Sequence, residues 1–190
     1  MTTQIGIIGG GNVGSALDKG LTQAGYKTRV STEESVQDVA AGADIVVLAV
    51  PFAALDAVIA KVGRALEGKV IIDVTNTLDA QMGFAAPPSS GAEELQRKLP
   101  NSKVVKAFNT VFAQHMNSGR LNGQVLTALV AANDEAARNQ VIQLAKDIGF
   151  DGVSAGPLAN AKHMESLGYL NIQLGYGLGN GAMTGFKYVR

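Results

Sequence analysis

Short apolar runs alternate along the chain with longer segments in which apolar residues recur at helical spacing. The runs predict strands at 4–8, 27–30, 44–50, 69–74, 103–108, 125–131 and 153–155. The helical spacing predicts helices at 13–24, 35–41, 55–66, 90–99, 134–148 and 158–178. Strands that are apolar throughout are buried on both faces. The pattern therefore predicts an α/β domain whose mainly parallel, doubly wound sheet carries helices on both faces.

The glycines at the first strand–helix junction are the most informative local feature. Gly9, Gly11 and Gly14 form the pattern Gly-x-Gly-x-x-Gly. Between a strand and a helix, this pattern is typical of a Rossmann-type dinucleotide-binding turn: the first glycine permits the turn, the second lets a pyrophosphate approach, and the third lets the helix lie close to the strand. The amides of Asn12 and Val13 would then face the phosphates at the positive end of the helix dipole. The alternative is a plain glycine-rich turn.

The end of the second predicted strand is expected to contact the adenosine ribose of such a dinucleotide. An acidic residue there favours NAD, and a basic residue favours NADP, which carries a 2′-phosphate. The chain has Ser31, Thr32 and Glu33 at this point. The two hydroxyls suit a phosphate, whereas Glu33 would repel one if its side chain pointed inward. The residues alone therefore leave NAD and NADP open.

The composition is typical of a compact globular protein without a nucleic-acid or membrane partner. The 190 residues are 46% hydrophobic, with 16 basic and 16 acidic side chains, and contain no cysteine. Balanced charge gives no electrostatic footprint for nucleic acid. Without cysteines or a cluster of other metal ligands, we expect neither thiolate chemistry nor a metal site. No leader, membrane span or interdomain linker is apparent, so a single cytoplasmic domain over residues 1–190 is expected.

Further segments follow the glycine turn in a recognisable order. They are AVPF (49–52), VIIDVTN (70–76), SGAE (90–93), VKAFNT (105–110), AGPLANA (155–161) and GFK (185–187). With them, the chain resembles over nearly its whole length the coenzyme F420-dependent NADP oxidoreductase family. That family is related to the oxidoreductase domain of the STEAP metalloreductases.

The resemblance implies an enzyme that transfers a hydride between NADP(H) and a small-molecule redox acceptor, either the deazaflavin coenzyme F420 or a flavin. On the family's pattern, the cofactor-binding residues beyond the second strand are Val50, Pro51, Asn76, Ala107, Phe108 and Asn109. The implied acceptor-binding residues are Thr110, Gly156 and Pro157. Many members have Ser-Arg where this chain has Thr32-Glu33, so NADP(H) is favoured only slightly over NAD(H).

Hydride transfer needs little from protein side chains because the two rings carry the reaction. The protein must hold the donor and acceptor atoms about 3–3.5 Å apart, and no catalytic acid or base is predicted. An alternative function is a non-catalytic module that senses the ratio of reduced to oxidised nucleotide or binds a partner. A hydroxyacid or imine dehydrogenase is less favoured, because little chain follows the helix at 134–148 to form a helical substrate domain.

Several polar residues leave more than one role open. Asn109 suits either the nicotinamide carboxamide or an Asx turn. Asp73 is expected to order its turn rather than to ionise in catalysis, and His163 suits a surface or packing role better than the acceptor. The segment 87–91 is either a lid over the acceptor or an ordinary exposed loop.

The last segment, 151–190, is predicted to be a strand–helix extension that completes the acceptor pocket or forms a dimer face. Its helix carries Ala161, Gly168 and Gly175 at intervals of seven, which keeps small residues near one side. These residues suit either close packing on the chain's own sheet or an interface between two copies. A homodimer is expected.

Overall fold

The protein is built on a mainly parallel sheet with helices on both faces, as the sequence predicts. A computed structural model describes residues 3–79, 81, 83, 84 and 89–190. Its strands are β1 (Gln4–Ile8), β2 (Lys27–Val30), β3 (Ile45–Leu48), β4 (Val70–Asp73), β5 (Lys103–Ala107), β6 (Arg120–Leu121), β7 (Gln124–Val125), β8 (Thr127–Ala132) and β9 (Asp151–Gly156). Its α-helices are α1 (Asn12–Gln23), α2 (Val36–Ala41), α3 (Leu55–Val62), α4 (Gly91–Lys98), α5 (Ala113–Met116), α6 (Glu135–Ile148) and α7 (Ala161–Ile172). A π-helical turn, Gln173–Gly177, continues α7.

The strand order sets the place where a ligand would bind. The order in the sheet is β2-β1-β3-β4-β5-β8-β9, with β6 and β7 forming a separate hairpin. Strands β1 to β5 are parallel to one another. Because β2 lies on one side of β1 and β3 on the other, the chain reverses its direction of winding at β1. Open α/β sheets bind ligands at the carboxyl ends of the strands beside such a switch point.

The central strands β1, β3, β4 and β5 contribute to two separate apolar cores, because successive side chains point to opposite faces of the sheet. Ile45 and Val47 of β3 lie in the core beneath α1, α5 and α6. Val46 and Leu48 of the same strand lie in the core beneath α2, α3 and α4. The burial on both faces explains why the strands are apolar throughout rather than alternating.

The sheet departs from the simplest parallel arrangement at β8. This strand runs antiparallel to β5, and β9 then runs parallel to β8. A parallel return needs a long crossover, usually a helix, whereas the connection from β5 contains only the short α5 and the β6–β7 hairpin. The carboxyl ends of β8 and β9 therefore lie at the opposite edge of the sheet from those of β1 to β5.

The small residues of the last helical segment pack against the chain itself. Ala161 is fully buried in the core beneath α4. A Cβ added at Gly168 would lie 2.5 Å from the Asn76 Oδ1, and one at Gly175 would lie 2.7 Å from the Phe112 ring. These three positions therefore need small residues for packing within one chain, and the homodimer stays a prediction.

No helix among the described residues is long and apolar enough to cross a membrane.

The start of α4 is capped by Ser90. The Ser90 Oγ accepts a hydrogen bond from the Glu93 amide at 3.1 Å and donates one to the Glu93 carboxylate at 2.9 Å. The carboxylate thus binds the hydroxyl, whereas in a standard capping box it binds the backbone amide of the capping residue.

Of the segment 87–91, whose role as lid or loop was open, residues 87 and 88 lie outside the described part of the chain.

We predict that Ser90→Ala lowers the free energy of unfolding by about 1–2 kcal/mol, because the part-buried Glu93 amide loses its acceptor. Urea unfolding followed by circular dichroism measures this loss. The matched control is Ser89→Ala, which removes a hydroxyl that accepts a hydrogen bond from the exposed Arg97 guanidinium and should change stability by less than about 0.5 kcal/mol. Equal stability of the two variants would contradict the assigned cap.

Candidate functional site

Three adjoining hollows form one cleft along the carboxyl ends of β1 to β5. The β2-side hollow, about 430 Å³, is lined by the end of β2, the glycine turn and α3. The central hollow, about 480 Å³, is lined by the start of α1 and the chain that follows β3 and β4. The α7-side hollow, about 350 Å³, lies between the start of α1, the chain after β5 and α7. The first two share Val50 and Pro51, and the last two share Asn12, Val13 and Asn76.

The glycine turn has the geometry that each of its glycines was predicted to allow. Gly9 has φ +109°, and a Cβ there would lie 2.3 Å from the Ala49 carbonyl oxygen. A Cβ at Gly14 would lie 1.9 Å from the Gly9 carbonyl oxygen, so only glycine lets α1 begin this close to β1. At Gly11, by contrast, an added Cβ would meet nothing within 4 Å. The bare face of Gly11 is therefore open towards the cleft, at the first turn of α1.

The sequence predicts contact with an adenosine ribose at the end of β2. Ser31, Thr32 and Glu33 line the β2-side hollow together with Gly9. The turn after β2 is held by its own polar groups, since the Thr32 amide donates to the Ser35 Oγ at 2.9 Å. Lys61 reaches this turn from the end of α3 and donates from Nζ to the Glu33 carbonyl oxygen at 3.1 Å.

Two asparagines from neighbouring loops hold each other at the border of the central and α7-side hollows. The Asn76 Nδ2 donates to the Asn109 carbonyl oxygen at 2.9 Å, and the Asn109 Nδ2 donates to the Asn76 Oδ1 at 3.0 Å and to the Met164 carbonyl oxygen at 2.9 Å. The Asn109 Oδ1 is buried and accepts no hydrogen bond within the described structure. A buried acceptor without a donor is costly, so this atom is a candidate ligand contact.

Behind this pair, a charged cluster is buried between β4, β5, α4 and α7. The Lys106 Nζ lies 3.0 Å from the Asp73 Oδ2, 3.1 Å from the Glu165 Oε1 and 2.6 Å from the Thr75 carbonyl oxygen. Glu165 also accepts from the amides of Gly91 and Ala92 at the start of α4. All three side chains are at most 1% exposed. The cluster thus fixes the Thr75 backbone, which lines the central hollow.

Asp73 has the local role that the sequence predicted for it. Its Oδ1 accepts from the Thr75 amide at 2.9 Å, which orders the turn after β4. The charged lysine on its other oxygen was not foreseen. The signal was present in the sequence, because Lys106 is a charged residue flanked by the apolar residues Val105 and Ala107 within β5.

Several predicted site residues support the cleft from behind without lining it. Ala107, Phe108 and Thr110 are buried, and only Asn109 of that segment reaches the α7-side hollow. Phe108 has φ +63°, an uncommon conformation for a bulky residue, and its ring packs edge to face on Phe150. This turn directs the chain so that Asn109 follows at the border of the cleft.

Two residues expected beside an acceptor lie elsewhere. Gly156 and Pro157 follow β9, whose carboxyl end is at the opposite edge of the sheet because β8 is reversed. Neither residue lines the three hollows. His163 is exposed and does not line them either, which agrees with the surface role. The segment 151–190 instead reaches the cleft later along the chain, through Gly168, Asn171, Ile172 and Tyr176.

We predict that Lys106→Met lowers the free energy of unfolding by about 3–5 kcal/mol, because it leaves two buried carboxylates without their cation. Chemical denaturation measures the effect. The control Lys103→Met removes a half-exposed lysine from the same strand and should cost far less. Adding Glu165→Gln to Lys106→Met should recover part of the loss. A Lys106→Met protein as stable as the wild type would contradict the cluster.

Comparison with known proteins finds relatives in the family that the sequence resembles. The sequence profile of the family described as NADP oxidoreductase, coenzyme F420-dependent, matches residues 4–77. The F420-dependent NADP reductase of Methanocaldococcus jannaschii is 31% identical over 162 residues, which cover 81% of this chain and 71% of that protein. A crystal structure provisionally named as an F420-dependent NADP-reductase from Arthrobacter sp. FB24 superposes with a TM-score of 0.89 at 30% identity, covering 99% of this chain and 100% of the other.

A second similarity is limited to part of a larger protein. Mouse metalloreductase STEAP2 is 35% identical over 102 residues, but these are 54% of this chain and only 20% of STEAP2. The chain therefore spans about a fifth of that relative. The reductase relatives, in contrast, match it along most of both lengths, and the strand order and the glycine turn agree with their Rossmann-type fold. On this evidence the chain belongs to the coenzyme F420-dependent NADP oxidoreductase family.

Proposed function

We propose that the protein binds NADP(H) in the cleft and transfers a hydride between its nicotinamide and a small-molecule acceptor, a deazaflavin such as coenzyme F420 or a flavin. The observation that carries the proposal is the open backbone at Gly11, at the switch point of the sheet and at the start of α1. The relatives named as F420-dependent NADP reductases support both the cofactor and the deazaflavin. When bound, the nicotinamide supplies the hydride chemistry, so no acid or base is required of the protein.

The residues of the cleft fit a dinucleotide from end to end. The amides of Asn12 and Val13, at the positive end of α1, would bind the pyrophosphate. Ser31, Thr32 and Glu33 would contact the adenosine ribose in the β2-side hollow. In the central hollow, Val50 and Pro51 form part of a largely apolar wall that would exclude water from the cofactor.

Asn109 would orient the nicotinamide end. Its Oδ1 is a buried acceptor without a donor in the described structure, as are the Thr75 and Thr77 hydroxyls, and a carboxamide N–H is a donor of suitable chemistry. Because Asn76 and Met164 hold the Asn109 Nδ2, the side chain is fixed with its oxygen left for a ligand. Orientation of this kind lowers the barrier by holding the reacting atoms close together.

We place the acceptor in the α7-side hollow, next to the nicotinamide end. The hollow carries Phe112 and Tyr176, whose rings meet edge to face at 5.1 Å and suit a planar ring system. Residues 151–190 would thus complete the acceptor pocket of a single domain, though through α7 rather than through Gly156 and Pro157. Large apolar side chains, including Leu178 and Val189, are exposed in the same segment. Their exposure supports the predicted homodimer.

The reaction is tested by mixing the purified protein with deuterated NADPH, labelled on the transferred position, and either coenzyme F420 or FMN in the absence of oxygen. We expect the NADPH absorbance to fall together with that of one acceptor. Mass spectrometry should then find the label in the reduced deazaflavin if coenzyme F420 is that acceptor. Nucleotide binding without turnover of either acceptor would contradict the enzyme and would favour the sensor.

We predict that Gly11→Val abolishes binding of NADP(H) and NAD(H) while the melting temperature stays within a few degrees of wild type. The backbone at this position is extended, and its Cβ direction is empty, so valine fits the fold but occupies the space for the pyrophosphate. Isothermal titration calorimetry measures both affinities. Gly42→Ala, outside the cleft, is the control and should bind normally. Undiminished affinity in Gly11→Val would reject this placement of the cofactor.

A further inference from the structure

The β2-side hollow contains one cation that the sequence pattern does not indicate. An arginine in the turn after β2 would accommodate a 2′-phosphate, and this chain has Glu33 in that turn. Among the described residues lining the hollow, only Glu33 and Lys61 are ionisable, and only Lys61 is basic. Lys61 comes from α3, far along the chain from the turn that it contacts.

Lys61 lies at the end of a helix face whose other residues have small or apolar side chains and leave space in the hollow. Ala54, Ala57, Val58 and Lys61 recur at intervals of three and four residues, and all four line the hollow. The first three are small or apolar and form a wall suited to an adenine ring. The fourth places an ammonium group beside the turn after β2, where the ribose is expected.

The ammonium group of Lys61 is held in position but is not neutralised. Its Nζ donates to the Glu33 carbonyl oxygen at 3.1 Å, which uses one of three N–H donors. It forms no ion pair within the described part of the chain, unlike Lys98, Lys103 and Lys106. The hydroxyls of Ser31 and Thr32 belong to the same hollow. A cation with free donors beside two hydroxyls is suited to a phosphate monoester.

We propose that Lys61 binds the 2′-phosphate of NADP(H) and thereby replaces, from α3, the arginine that is missing after β2. The proposal rests on the proposed function, because it needs the adenosine end of the cofactor in the β2-side hollow. It resolves the selectivity that the residues after β2 leave open: the protein prefers NADP(H) to NAD(H), and Lys61 is the specificity-determining residue. Glu33 contributes its carbonyl oxygen as the anchor of the ammonium group.

The test compares wild type, Lys61→Met and Lys61→Arg by calorimetric titration with NADPH, NADH, 2′,5′-ADP and 5′-AMP. The two probes in each pair differ only in the 2′-phosphate. Lys61→Met keeps the apolar stem, and Lys61→Arg keeps the charge. The control Lys27→Met removes an exposed lysine at the other end of β2.

We expect wild type to bind NADPH more tightly than NADH and 2′,5′-ADP more tightly than 5′-AMP. Lys61→Met should reduce both preferences by about tenfold to hundredfold, the effect of one charge-assisted hydrogen bond. Lys61→Arg should retain most of the preference and Lys27→Met all of it. Added salt should weaken NADPH binding more in wild type than in Lys61→Met.

The possible results distinguish a failure of the role of Lys61 from a failure of the proposed function. A wild-type protein that binds neither nucleotide would overturn the proposed function itself. A wild type that binds both nucleotides equally, or a Lys61→Met variant that keeps the wild-type preference, would overturn the role of Lys61 alone. Loss of the preference in Lys61→Met without recovery in Lys61→Arg would also count against it, because an ionic contact needs charge rather than a particular side chain.

Discussion

The close approach of α1 to the end of β1 is the constraint on which the cleft depends. An added Cβ on Gly14 would overlap the Gly9 carbonyl oxygen, and one on Gly9 would overlap the chain after β3. With these positions free of side chains, the first amides of α1 lie at the switch point of the sheet and face the cleft. Gly11 differs from the other two because its missing Cβ is not needed for packing. Packing requires glycine at positions 9 and 14, whereas it leaves space for a side chain at position 11, and this space supports the proposed cofactor site.

The side of the cleft formed by the loops after β4 and β5 is held by buried ion pairs rather than by close steric packing. Lys106 joins the carboxylates of Asp73 and Glu165 in a site without water access. Buried charges of this kind are expensive unless paired, and their geometric precision is often their main contribution. Here the contacts link the turn after β4, the start of α4 and the middle of α7. The loops that carry Asn76 and Asn109 are thereby supported by one cluster.

The sequence predicts most of the fold because the relevant signals are local. Strand positions follow from apolar runs, and the glycine turn follows from a short pattern with a known mechanism. The reversal of β8 is not local, since it depends on how the chain between β5 and β8 returns, and it displaces Gly156 and Pro157 from the cleft. That connection lacks a long amphipathic helix, and this absence is a sequence signal that favours the reversal.

The residues of the candidate site are predictable from the sequence only in part, because some of their contacts join segments that are distant along the chain. Gly11, Asn12, Val13 and the residues after β2 are identified by their place beside β1 and β2. Lys61 and Lys106 are not, because each acts on a segment distant in sequence: Lys61 on the turn at Glu33, and Lys106 on Asp73 and Glu165. Such pairs depend on the packing of α3 and α7 against the sheet, which no pattern within one element specifies. Asn109 is intermediate, since its position was predicted but its free oxygen was not.

The most direct test of the account is a crystal structure of the protein with bound NADPH. The account requires the pyrophosphate to rest on the amides of Asn12 and Val13, against the bare face of Gly11, with the adenosine at the end of β2 and the nicotinamide beside Asn109. Electron density for the nucleotide outside this cleft would contradict it. A glycine corner filled by protein atoms in the bound structure would do the same.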